Sequence, residues 1–152
     1  MRYKESYAVD TNTVTAPGVG RISVTAVIRA QCSPVGDGHK VAEYELVHQQ
    51  SAIDVQGNPE LQALHSVVQR LSSAAGPAER IALITDTEYS LIKEINARRH
   101  PLFEGFYLPE KFELIYATSD AGVTEYLPNK MMRECDGVAK RSLEHALKSL
   151  AG

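Results

Sequence analysis

The chain has 152 residues, the length of one domain with a hydrophobic core of its own. Hydrophobic residues make up 43% and charged residues 23%, which excludes a disordered or low-complexity chain. With 16 Lys and Arg against 19 Asp and Glu, the formal charge is −3. That balance argues against a protein that coats nucleic acid by bulk attraction, but not against an enzyme with a local basic patch.

Residues 6–14, SYAVDTNTV, are β-branched and aromatic with one acid, Asp10, and predict a first strand. A turn follows at Ala16-Pro17-Gly18-Val19-Gly20. Ile22, Val24, Ala26 and Ile28 then alternate with Ser23, Thr25, Val27 and Arg29, a second strand. SPVGDG, with its Pro and Asp-Gly pair, reads as a hairpin loop before a third strand, KVAEYELVHQ. The period then changes. Asn58 suits a helix N-cap and Pro59 the first helical position. Leu61, Leu64, Val68 and Leu71 recur at steps of three and four, and this amphipathic helix ends before Gly76-Pro77.

Residues 80–85, RIALIT, are nearly all apolar, the pattern of a strand covered on both faces. Asp86-Thr87-Glu88 opens a helix through Ala97. Pro101 and Pro109 bracket an irregular stretch, and FELIYAT at 112–118 is a fifth strand. The last helix, from Asn129 to Leu150, carries the stripe Met132, Cys135, Ala139, Leu143, Ala146 and Leu150. The order βββαβαβα predicts an α/β fold in one domain over residues 1–152. Its five-stranded mixed sheet has three antiparallel strands, then two parallel crossovers, and helices on both faces.

No run of about 18 apolar residues is present, so no membrane span is expected. MRYKESY is followed by no apolar stretch, so no secretory signal is expected and the cytoplasm is the default location. Cys32 and Cys135 lack CxxC spacing and read as free thiols, and the five histidines form no zinc pattern. Gly18-Val19-Gly20 is an incomplete GxGxxG on a strand-to-strand turn, so no dinucleotide is expected to bind. Neither a GxxxxGK phosphate loop nor a GxSxG elbow occurs.

Four acids lie at element ends or beside core stripes: Asp10 in the first strand, Glu60 opening the first helix, Asp86 closing the fourth strand, and Asp136 beside Cys135. Each has an everyday explanation. A first-turn glutamate suits the helix dipole, Asp86 suits an N-cap, and Asp136 can pair with Lys140 one turn away. Asp10 is the hardest to explain so, since a strand interior disfavours it. If the first and fourth strands are neighbours, all four converge at one end of the sheet. Clustered carboxylates repel unless cations occupy them, and oxygen-only ligands suit Mg²⁺ or Mn²⁺.

The local text adds to this. VDTNTVTAPGVGRISVTAVIR, GNPELQAL, ITDTEYSL and NKMMRECDGVAKRSL, in this order, resemble the motifs of the type 1 ribonuclease H family, and the likeness runs from residue 6 to 148. The resemblance implies the ribonuclease H-like fold and an endoribonuclease that hydrolyses the RNA strand of RNA/DNA hybrids, leaving 5′-phosphate and 3′-hydroxyl ends. It implies two Mg²⁺ or Mn²⁺ ions held by catalytic and metal-binding Asp10, Glu60, Asp86 and Asp136. Asn12, Asn58 and Thr87 would contact the substrate. The sequence departs from the family in four places. Thr11 replaces the usual glycine, Glu88 stands where a neutral polar residue is usual, and Asp120 is the candidate assistant in a loop that lacks the family's histidine. Residues 98–111 are too few for a basic protrusion, which leaves Arg98, Arg99 and His100 as a minimal substitute or simply a solvated helix end. Two other readings compete: a catalytically weak nucleic-acid-binding module of the same fold, and a superfamily nuclease acting on DNA. Asp10-Thr11-Asn12 counts against a proofreading-type exonuclease, which carries Asp-x-Glu.

Overall fold

A computed structural model describes residues 5–18, 20–35, 38–53, 58–72, 80–119 and 127–151. The elements are β1 (Glu5–Ala16), β2 (Gly20–Val35), β3 (Gly38–Ile53), α1 (Pro59–Leu71), β4 (Ile81–Thr85), α2 (Tyr89–Asn96), β5 (Phe112–Tyr116) and α3 (Leu127–Ala151). The strands form one sheet in the order β3-β2-β1-β4-β5. Short connections let β1, β2 and β3 pair antiparallel, while the crossovers through α1 and α2 bring β4 and β5 in parallel.

One expectation changes. SPVGDG is not a loop throughout: the β2–β3 ladder continues as far as Val35↔Gly38, with Pro34 opposite His39. Among the described residues the β1–β2 ladder stops at Tyr7↔Arg29 and this end of β2 pairs with β3 alone, where a proline is tolerated. Gly36 and Asp37 lie outside the described residues.

Alternation along the strands divides the core in two. Tyr7 and Val9, Val27, and Ile81 and Leu83 point to the face covered by α1 and α2, where they meet Leu64, Val68, Ile92 and Ile95. Ala8, Ala26, Ile28 and Ile84 point to the opposite face, against Met131, Met132, Cys135 and Ala139 of α3. All five residues of β4 are buried, as a strand covered on both sides requires. Small side chains on the α3 face allow a close approach, and the Cys135 thiol lies 3.4 Å from the Ala8 carbonyl and 3.1 Å from that of Ala26. Among the described residues, no helix is long and apolar enough to cross a membrane.

Two side chains of the α2–β5 connection do structural work. Asn96 donates from Nδ2 to the Leu114 carbonyl (2.9 Å) and accepts from the Leu114 N–H (2.8 Å), pairing with the outer side of β5 as a neighbouring strand would. Arg98 ends α2 in the left-handed conformation, φ 58°, where glycine is the usual residue. Its guanidinium donates to the carbonyls of Leu108 (3.1 Å), Pro109 (2.8 Å), Phe112 (3.1 Å) and Asn96. Arg98 is therefore neither a solvated helix end nor an arm held out to a ligand. Arg99 pairs with Glu94 at 2.8 Å, and the His100 ring lies against the Pro101 carbonyl. The connection folds back at Glu104 and Gly105, both with positive φ, and sets Phe103 and Phe106 against His65 of α1.

Replacing Arg98 by Ala leaves several carbonyls without this donor and keeps the backbone strain, which should cost about 2–3 kcal/mol. Arg98→Gly should cost less, because glycine removes a left-handed penalty of about 1 kcal/mol. Urea unfolding of both variants checks this, and equal losses would contradict it.

Candidate metal centre

The parallel β1–β4 ladder runs from Glu5↔Ile81 to Ala8↔Ile84. Beyond it Asp10 and Asp86 face each other across the opening at the C-terminal end of β4, the place where sheets of this kind receive ligands. Glu60 arrives from the first turn of α1. Asn58 caps that helix, its Oδ1 accepting from the N–H groups of Glu60 (3.0 Å) and Leu61 (3.3 Å), and Pro59 starts it. Asp136 follows Cys135 on α3, directly beneath β1 and β2.

Carboxylate oxygens of Asp10, Glu60 and Asp86 lie within 4.8 Å of one another, so the cluster can hold a metal ion. Asp10 is 3% exposed, Glu60 is half-buried and Asp86 is open to solvent. Asp136 joins the group through a side-chain hydrogen bond to Asp10. It also makes the expected pair with Lys140, at 3.0 Å. The N-cap of α2 is Glu88, not Asp86.

Burial drives the Asp10 carboxyl well above the usual carboxylate range, reinforced by the bond with Asp136 and the charges of Glu60 and Asp86. Glu60 is pushed up to about 7 by burial and by Asp86, against hydrogen bonds from Thr85 and Thr11 that favour its charged form. Asp136 behaves oppositely. Burial alone would raise it, but Lys140, Asp10 and Asn12 together hold it below its ordinary value. Of the hydrogen-bonded pair, Asp10 therefore has the higher proton affinity and Asp136 the lower. Burial and the Asp10 charge push up the Cys135 thiol, which stays protonated and inert.

The other expected site residues are arranged unequally. Asn12 lies on the same face of β1 as Asp10. Its Nδ2 is buried and makes no hydrogen bond of normal geometry, although the amide is near enough to favour the Asp136 anion. Asn58 spends its side-chain oxygen on the α1 cap. Thr87 is 9% exposed, with its hydroxyl 3.1 Å from that of Thr85. Asp120 lies outside the described residues. Glu88 is exposed and accepts from the Ser90 hydroxyl at 2.9 Å.

Two residues of the site were not among its expected members. Thr85 donates to Glu60 Oε1 at 2.9 Å, and Thr11 hydrogen-bonds Glu60 through both backbone and side chain. Thr85 was detectable as the one hydroxyl in the apolar run IALIT, and Thr11 as the residue standing in place of glycine.

No family model and no curated protein matches the sequence. Solved structures do match the fold. The native protease-reverse transcriptase of Prototype Foamy Virus superposes with a TM-score of 0.60 and 10% identity over 92% of this chain. The solution structure of the PFV RNase H domain gives 0.54 and 10% identity, covering 93% of this chain and 94% of that domain. A foamy viral protease-reverse transcriptase in complex with RNA/DNA hybrid gives 0.50 and 10% identity, covering 88% of this chain and 19% of that one. This chain spans 21% of the native protease-reverse transcriptase, about a fifth of its length. The fold is ribonuclease H-like.

The raised proton affinities have a consequence for stability. Asp10 and Glu60 bind protons more tightly folded than unfolded, so their stabilising contribution is full below their ordinary values of 3.8 and 4.5. It is lost as pH rises through about 7 for Glu60 and higher for Asp10. The melting temperature of the metal-free protein should therefore fall between pH 5 and pH 8.5 at constant ionic strength. Millimolar Mn²⁺ should restore it at the alkaline end and have little effect at pH 5. A metal-free melting temperature that rises over this range would contradict the account.

Proposed function

We propose that the protein is a metal-dependent endoribonuclease that cuts the RNA strand of RNA/DNA hybrids, with the 152 residues acting as one ribonuclease H-like domain. The observation that supports this most is the convergence of Asp10, Glu60 and Asp86 within 4.8 Å at the open end of β1 and β4, with Asp136 bonded to Asp10. The fold supports it as well, since the PFV RNase H domain is matched over nearly its whole length. A buried carboxylate cluster that keeps protons to limit its own repulsion is suited to exchanging them for hard cations. All-oxygen donors favour Mg²⁺ or Mn²⁺ over softer metals.

Two such ions, when bound, would activate a water for attack on the phosphorus and stabilise the departing 3′-oxygen, which leaves a 5′-phosphate and a 3′-hydroxyl. Asp10, buried among the other acids, would hold both ions. Asp136 would help Asp10 to hold the one that supplies the activated water, and its Lys140 partner favours the anion that this needs. Glu60 and Asp86 would hold the one that stabilises the leaving oxygen. Thr85 and Thr11 favour the charged form of Glu60 that such a role needs. The Asn58 amide nitrogen, the Asn12 amide and Thr87 are the polar groups around the cluster that would meet the 2′-hydroxyls and phosphates of a hybrid.

An end-labelled RNA/DNA hybrid, single-stranded RNA and duplex DNA, each incubated in Mg²⁺ and in Mn²⁺, test the reading. Cleavage should be confined to the RNA of the hybrid and should fall by about 100-fold or more in Asp10→Asn. Cutting of duplex DNA would point instead to a different nuclease of this fold. Hybrid binding without cleavage in either metal would leave only the binding module.

A further inference from the structure

Among the four acids, Glu60 alone reaches the cluster from a helix N-terminus, where its side chain has several rotamers open to it. Threonines of the two central strands favour its charged form. Thr11 of β1 is one, its hydroxyl 2.8 Å from that of Thr25. The other, the fully buried Thr85, places Oγ1 2.9 Å from Glu60 Oε1. The same Thr85 oxygen accepts from the Thr87 backbone N–H at 3.2 Å and lies 3.1 Å from the Thr87 hydroxyl. A threonine hydroxyl has one proton and two lone pairs. With the Thr87 N–H on a lone pair, the proton is aimed at the carboxylate, the strongest acceptor nearby. Valine would fill the same volume in this apolar strand, so packing alone does not call for a hydroxyl here.

We propose that Thr85 is a positioning residue that fixes the Glu60 carboxylate for metal binding, its own hydroxyl being oriented by the backbone of Thr87. This rests on the reading of the acidic cluster as a metal centre. It also ties the fourth strand to the centre twice, once through Asp86 and once through the hydroxyl just before it. The direction of the Glu60 side chain is then set by the β4–α2 turn as well as by its own helix.

Isothermal titration of Mn²⁺ into the wild type, Thr85→Val, Thr85→Ala, Thr85→Ser, Glu60→Gln and the double variant Glu60→Gln/Thr85→Val tests this. Metal-free melting is recorded for each protein, and Asp10→Asn serves as the control. Thr85→Val and Thr85→Ala should both weaken Mn²⁺ binding by about 10-fold or more, and Thr85→Ser should stay within about threefold of wild type. In the Glu60→Gln background, Thr85→Val should add no further loss, because the hydroxyl then has no carboxylate to aim. Wild-type affinity in Thr85→Val, or a loss that persists undiminished without Glu60, would overturn the assignment while leaving the metal centre in place. Failure of the wild type to take up more Mn²⁺ than Asp10→Asn would overturn both.

Discussion

The parallel pairing of β1 with β4 is the constraint on which the site depends. Four residue pairs, Glu5↔Ile81 to Ala8↔Ile84, bury both strands at the centre of the sheet and end just short of two aspartates. The crossover that makes this pairing possible contains α1, so its first turn delivers Glu60 to the same opening. Alternation along β1 sends Ala8 toward α3, and the small residues there let Cys135 settle beneath the sheet with Asp136 beside it. A polar cluster with this much negative charge would not persist on packing grounds alone.

The electrostatics work against stability. Asp10 is almost fully enclosed, and its proton affinity is raised by its neighbours as well as by its burial. Raised proton affinities at Asp10 and Glu60, and the Lys140 cation on the outer acid, limit the charge of the site. Such an arrangement is suited to exchanging its protons for a divalent cation as pH rises. The hydroxyls of Thr11 and Thr85 act in the same direction, since they favour ionised Glu60 at a site that burial would otherwise neutralise.

Much of the fold was legible because its signals are local. The change of period after Asn58, the Asn-Pro start of α1 and the apolar run before Asp86 each determine an element without reference to the rest of the chain. Asp10 stood out because a strand interior has no local use for an acid. What escaped depends on partners far along the chain. The reach of the Arg98 guanidinium to carbonyls 10 to 14 residues ahead is a property of the folded loop, so three basic residues in a row read only as charge. Pro34 and the Asp-Gly pair favour a loop by their own preferences, yet the β2–β3 ladder extends to Val35↔Gly38. Lys140 was visible as a partner of Asp136, but the contact of that pair with Asp10 appears only once α3 lies against β1.

The central claim is that these carboxylates are gathered to hold cations, and locating manganese in a crystal tests it most directly. Crystals grown at pH 8 with Mn²⁺ should give anomalous peaks among Asp10, Glu60, Asp86 and Asp136. A second ion, where present, should lie about 3.5–4 Å from the first. Density at saturating Mn²⁺ that shows Asp10 still bonded to Asp136, with no metal among the four side chains, would contradict the account.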